Sequence, residues 1–226
     1  MSDDALQSLY PFLHGTRQDE TRLGAALLDS IRLKAEDSVA TKQCFFADNA
    51  EKIAALAQAL AGVYRQGGRL FTMGNGGSSC DAAHIAVEFL HPVTTGRPAL
   101  PAIHLGADTA MLSAVGNDVG FAQVFVRQLH ALARPGDALI GVSTSGNSEN
   151  LLKAFATAKQ LGLLTVGLTG HDGGRMAASE SLDHCLVVAS DSIHRVQETH
   201  VALYHILWDL VHTLLADDRG ALKGGL

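Results

Sequence analysis

Arg69-Leu70-Phe71-Thr72-Met73-Gly74-Asn75-Gly76-Gly77-Ser78-Ser79-Cys80-Asp81-Ala82-Ala83-His84-Ile85-Ala86-Val87-Glu88 carries a strand pattern, a turn and a helix pattern in immediate succession. A short apolar run, 69–73, passes through a glycine-rich turn into a segment from Ser78 that keeps helical spacing, so strand, loop and helix follow without a spare residue. His84 and Glu88 stand four residues apart, on one face of that helix. They can converge on one cation or one substrate carbon. A turn that can receive an anion thus leads into a helix that can hold a metal, which points to an enzyme acting on a small phosphorylated or polyhydroxylated molecule.

Upstream of this stretch, residues 21–34 and 41–67 carry apolar side chains at helical spacing (Leu23, Leu27, Leu28, Ile31; Ile53, Leu56, Leu60, Val63). The pattern predicts two helices before any strand. Downstream, short apolar runs at 102–105, 137–143, 164–169 and 183–188 alternate with amphipathic segments at 78–90, 109–115, 121–132, 148–161 and 174–179. A long last helix covers about 196–215. Strands alternating with helices predict an α/β fold: a doubly wound parallel sheet of five strands, a flavodoxin-like sandwich, with two N-terminal helices and a long C-terminal helix. The expected division is a helical segment 1–40, the sheet domain 41–216 and a polar tail 217–226. Ligands of such sheets bind where loops leave the carboxyl ends of the strands.

At 226 residues, 47% hydrophobic and 18% charged, the chain can bury a sizeable core. Its formal charge of −6 and its lack of a Lys/Arg cluster argue against nucleic acid or an anionic membrane as the main partner. The acidic start Met1-Ser2-Asp3-Asp4 has no basic-then-apolar signal pattern, and no run reaches the length of a membrane span, so a cytoplasmic protein is expected. Cys44, Cys80 and Cys185 have no metal-site spacing and read as buried, reduced thiols.

Two loops at the expected carboxyl end have phosphate-friendly chemistry. Gly74-Asn75-Gly76-Gly77-Ser78 follows the first strand; Ser143-Thr144-Ser145-Gly146-Asn147-Ser148 opens a helix. Hydroxyls and free N–H groups at a helix N-terminus hold a dianionic phosphate without Lys or Arg. The plainer reading of Ser145, Asn147 and Ser148 is helix capping, and the density of hydroxyls favours phosphate. The first loop is not a dinucleotide fingerprint: Ser79 stands where the third glycine would fall, and no G-K-[ST] loop occurs. On the last helix His200, His205 and His212 lie among apolar residues, where a histidine is more often core than ligand.

Taken together, these residues resemble the phosphoheptose isomerases of the sugar isomerase (SIS) fold over about 42–216. The resemblance rests on Gly74–Ser78 with Asp81-Ala82-x-His84-x-Ala86-x-Glu88, Arg97-Pro98 with Leu100-Pro101-Ala102-Ile103, and Gly116-Asn117-Asp118-x-Gly120-Phe121. It continues through Gly136-Asp137 to Ser148, Leu168-Thr169-Gly170-x-Asp172-Gly173-Gly174 and Val196-Gln197-Glu198-x-His200. It implies conversion of D-sedoheptulose 7-phosphate to D-glycero-D-manno-heptose 7-phosphate through an enediol, the first step of ADP-heptose precursor synthesis. It implies one zinc ion per subunit, held by His84, Glu88, Gln197 and His205, with Glu88 and His205 as the proton-transfer pair. Substrate contacts are implied for Asn75, Gly76, Gly77, Glu88, Asn117, Asp118, Ser143, Thr144, Ser145, Ser148 and Gln197. A homotetramer with active sites between subunits is implied as well.

Carboxylate and histidine suit the implied chemistry, since a ketose–aldose exchange removes a proton beside a carbonyl and returns one to the neighbouring carbon. Gln197 and His205 are eight residues apart, roughly 12 Å along a straight helix. Either Gln197 lies at a frayed or bent helix start, or one ligand comes from a neighbouring subunit; the apolar helices favour the second. The chain also departs from the family pattern, with Pro92 where relatives keep a basic residue and His194 where some have Asp. Both put the identity of the sugar in question, and His91, Arg97, His194 and Arg195 are the candidates to compensate. Competing readings are a non-catalytic SIS protein that binds sugar phosphate or associates with a replication initiator, and an isomerase of another sugar phosphate.

Overall fold

A computed structural model describes residues 20–216, which divide into two compact units meeting at Val39 and Ala40. The first unit is helical, with Leu27, Leu28, Ile31, Leu33 and Val39 exposed. Where the sequence predicts two helices, the described residues form one, α1 (Glu20–Arg65). Residues 35–40 contain neither Gly nor Pro, so nothing interrupts the backbone ladder there. The helix stops where Gly67 takes a φ of 76° and Gly68 N–H bonds back to Val63 O. The acidic start and the tail 217–226 lie outside the described residues.

The second unit holds five parallel strands, β1 (Leu70–Gly74), β2 (Ala102–His104), β3 (Ala138–Ser143), β4 (Leu164–Gly170) and β5 (His184–Val188), in the order β2-β1-β3-β4-β5. Register is set by Leu70 opposite both Ala102 and Ala138, Ala138 opposite Leu164 and Val166 opposite His184. The intervening helices are α2 (Gly77–Leu90), α3 (Thr109–Asp118), α4 (Val126–Leu132), α5 (Glu149–Gln160) and α6 (Gly174–Ala177), and the chain's last described helix is α7 (Ile193–Leu214). The expected doubly wound sheet is thus present, strand for strand. The segment 121–132, expected as one helix, is a 3-10 turn, Phe121–Gln123, followed by α4, because Gly120 at φ 96° starts a separate short turn.

Alternate residues of each strand feed opposite faces of the sheet. Leu70, Ile140, Val142, Val166, Leu168 and Val188 join Leu56 and Leu60 of α1, Ile85 and Phe89 of α2 and Leu203 and Leu207 of α7 in one core. Phe71, Met73 and Leu139 join Val115, Leu129, Leu151 and Phe155 in the other. Both faces are covered, which is why the strands read as continuous apolar runs. At the amino-terminal end of the strands Asp137 is buried and accepts from Arg69 and from the Arg134 amide, tying the starts of β1 and β3. The cysteines are free, but Cys44 and Cys80 are exposed on helix surfaces rather than buried; Cys185 is half-buried, and burial pushes its thiol up to about 11. Among the described residues, no helix is long and apolar enough to cross a membrane.

Strand order reverses between β1 and β3. The loops leaving their carboxyl ends, 75–76 and 144–148, therefore border the crevice where ligands of such sheets bind.

Candidate active site

Helices α2 and α7 lie side by side, parallel and in register. A Cβ on Gly77 would meet Gln197 Nε2 at 2.4 Å, Tyr204 Oη lies 2.8 Å from His84 Nδ1, and Trp208 Nε1 donates to Glu88 O at 2.8 Å. Each pair is separated by the same 120 residues. Contacts spaced seven and four residues apart are those of a parallel helical seam. On this seam His84, Glu88 and His205 bring three ligand atoms within 4.8 Å of one another. Glu88 Oε1 is 3.0 Å from His84 Nε2 and 3.8 Å from His205 Nε2. Two imidazoles and a carboxylate are a donor set that suits zinc, and its tetrahedral bonds of about 2.0–2.2 Å hold ligand atoms roughly 3.3–3.6 Å apart, close to the separations seen here.

Gln197 does not stand with them. It lies in the second turn of an unbroken helix, so a frayed start is ruled out, and its amide packs on Gly77. Seven residues separate it from the His84 level on α2, roughly 10 Å at 1.5 Å per residue. Within one chain His84, Glu88 and His205 converge, and Gln197 packs against Gly77.

Behind His84, Asp81 is 8% exposed and its Oδ2 has no hydrogen-bond partner. Burial pushes its carboxyl up to about 6, with His84 pulling the other way. Burial, reinforced by the charges of Asp81 and Glu88, holds the Tyr204 hydroxyl well above its usual range. Arg97 stacks on Trp208 at 4.3 Å and pairs with Asp209, bracing the indole that holds Glu88 O.

The two loops meet through an amide pair: Asn75 and Asn150 exchange Nδ2–H···Oδ1 bonds at 2.9 Å in both directions. Gly76, at φ 54°, leads into Gly77 with no capping side chain, leaving first-turn amides of α2 uncapped. Ser148 is the N-cap residue of α5, yet its hydroxyl makes no cap bond and sits 3.1 Å from Ser143 Oγ. The capping reading therefore fails for Ser148. Ser145 and Asn147 brace the loop itself: Ser145 Oγ accepts from Asn147 N–H, and Asn147 Oδ1 accepts from Arg175 N–H. Gly146 has no space for a Cβ, which would fall 2.0 Å from Gly173 O, and Gly170 N–H bonds to Thr144 O. The glycines after β4 thus cradle the hydroxyl loop, a purpose the sequence pattern left unassigned.

Asn117 and Asp118, at the end of α3, are exposed and bonded to each other at 2.9 Å. His200 is fully buried beside Thr169 O at 3.1 Å, and burial lowers its pKa to about 4, so it is a neutral core residue. His212 is buried between the rings of Phe89 and Trp208. Of the residues that could replace the charge missing at Pro92, Arg97 and Arg195 are engaged with Asp209 and Glu198, while His91 and His194 are exposed. Sequence reasoning missed Tyr204, Trp208, Asp81 and Asn150. Only the equal spacing of residues along α2 and α7 could have indicated the first two.

The SIS domain family profile matches residues 35–170. The chain is 45% identical to a phosphoheptose isomerase of Desulfovibrio desulfuricans over 196 residues, 86% of this chain and 92% of the relative. Among solved structures, it is similar to the phosphoheptose isomerase of Francisella tularensis, with a TM-score of 0.78 and 36% identity over 82% of this chain and 98% of the other. The Neisseria gonorrhoeae phosphoheptose isomerase gives a TM-score of 0.77 and 35% identity, covering 83% and 99%.

Proposed function

The chain belongs to the SIS domain family and, within it, to the phosphoheptose isomerases, and from that premise we propose how its own residues convert sedoheptulose 7-phosphate to D-glycero-D-manno-heptose 7-phosphate. The observation that carries the reading is the convergence of Glu88 with His84 and His205 on the α2–α7 seam. Glu88, facing His205 across 3.8 Å, takes the proton from C1 beside the ketose carbonyl, giving the enediol. A proton is then returned to C2, with His205 serving the oxygen atoms as acid and base. Ser143, Thr144, Ser145 and Ser148, together with the uncapped amides of α5, receive the phosphate. Asn75, Gly76, Gly77, Asn117 and Asp118 are the residues we assign to the sugar.

A zinc ion on His84, Glu88 and His205 would polarise the carbonyl and hydroxyl oxygens of the substrate. Gln197 of a neighbouring copy completes the set, which makes the working unit a symmetric oligomer, a tetramer by family likeness. The chain works in the cytoplasm, with the isomerase domain at 41–216. In a comparison by NMR-monitored turnover of sedoheptulose 7-phosphate, Glu88→Gln should lose at least about 100-fold in kcat relative to wild type. Metal analysis of both proteins accompanies it. Turnover by Glu88→Gln at the wild-type rate would remove Glu88 from the reaction, and a wild type inert on this ketose would redirect the substrate assignment.

A further inference from the structure

His84 is held from both sides. Its Nε2 lies 3.0 Å from Glu88 Oε1 and its Nδ1 lies 2.8 Å from Tyr204 Oη. A neutral imidazole has one N–H and one lone pair, and a carboxylate can only accept. With His84 neutral and no metal bound, Nε2–H donates to Glu88 and the Tyr204 hydroxyl donates to Nδ1. A cation on Nε2 needs the lone pair there, so the proton must move to Nδ1 and Tyr204 Oη must turn from donor to acceptor. The tyrosine O–H then needs an acceptor of its own. Asp81, one turn before His84 on α2, offers a buried Oδ2 with no partner.

We propose that Tyr204 is a positioning residue that sets the tautomer of His84, reversing its hydrogen bond when a metal binds, with the buried Asp81 carboxylate accepting from its hydroxyl in the loaded state. The inference rests on the reading of His84 as a metal ligand. Tyr204 is buried, and its effect passes through the imidazole. Its ring also lies 4.9 Å from that of His205, a contact that Tyr204→Phe keeps.

Full-length protein with 15N-labelled histidine, titrated with Zn2+, provides the test, His84 being assigned by comparison with His84→Gln. In wild type, Nδ1 of His84 should be unprotonated before zinc and protonated after it. Tyr204→Phe and Asp81→Asn should each bind Zn2+ about 10- to 100-fold more weakly in competition with a chromophoric chelator. An Nδ1 already protonated in metal-free wild type overturns the relay, and this readout needs no variant. Zinc affinity within about twofold of wild type in either variant also overturns it, the metal reading being intact if wild type binds zinc. A wild type that binds no zinc overturns both.

Discussion

His200 and His205 sit five positions apart on one helix and have opposite environments: one sealed against Thr169 O, the other half-exposed beside Glu88. With its folded pKa lowered to about 4, His200 binds its proton more readily when unfolded. Its neutral form is therefore at full advantage above the ordinary histidine value of about 6.5, and that stability is lost as pH falls toward 4. Between pH 7 and 4.5 wild type should lose about 2 kcal/mol more than His200→Gln, read by denaturant unfolding at the two pH values. An equal loss in both proteins would mean that His200 takes up its proton in the fold. Residue identities told little here, since both histidines stand on an apolar background. Only depth in the molecule, which no local pattern encodes, separates core from site.

Elements were far more legible, because periodicity is a local property. Every strand appeared where a short apolar run predicted it, and errors fell where no residue marks a boundary, as in 35–40 of α1, or where a glycine splits a segment, as at Gly120. The hydroxyl loop shows what composition could not distinguish. Its Ser148 occupies the capping position but turns its hydroxyl to Ser143. Ser148→Ala should thus shift stability by less than about 0.5 kcal/mol, short of the roughly 1 kcal/mol of a working cap. The same change should raise KM for the sugar phosphate about tenfold, the worth of one hydrogen bond to a charged group. A stability loss of full cap size with KM unchanged would restore the capping role. The glycines after β4 make a parallel case. Their spacing is visible in the sequence, but the backbone they make room for lies on a different loop.

For the molecule as a whole, His84, Glu88 and His205 converge, while the amide of Gln197 lies against Gly77, two turns before His84. If Gln197 serves another copy's site, Gln197→Ala and His84→Gln should each be inactive alone. Co-expressed, they should recover roughly a quarter of wild-type activity, since mixed oligomers then contain some complete sites. No recovery in verified mixed oligomers would confine each site to one chain. The equal spacing along α2 and α7 carries a further consequence. Two helices matched residue for residue behave like the teeth of a rack: inserting one residue into either would rotate everything beyond it by about 100° and carry it off the seam. Insertions and deletions between the two helices should therefore be tolerated only in loops that carry neither strand register nor site residues, and excluded between Gly77 and Glu88 or between Gln197 and Trp208 unless both change together. The site is protected less by any one side chain than by a count that two distant segments must keep in common.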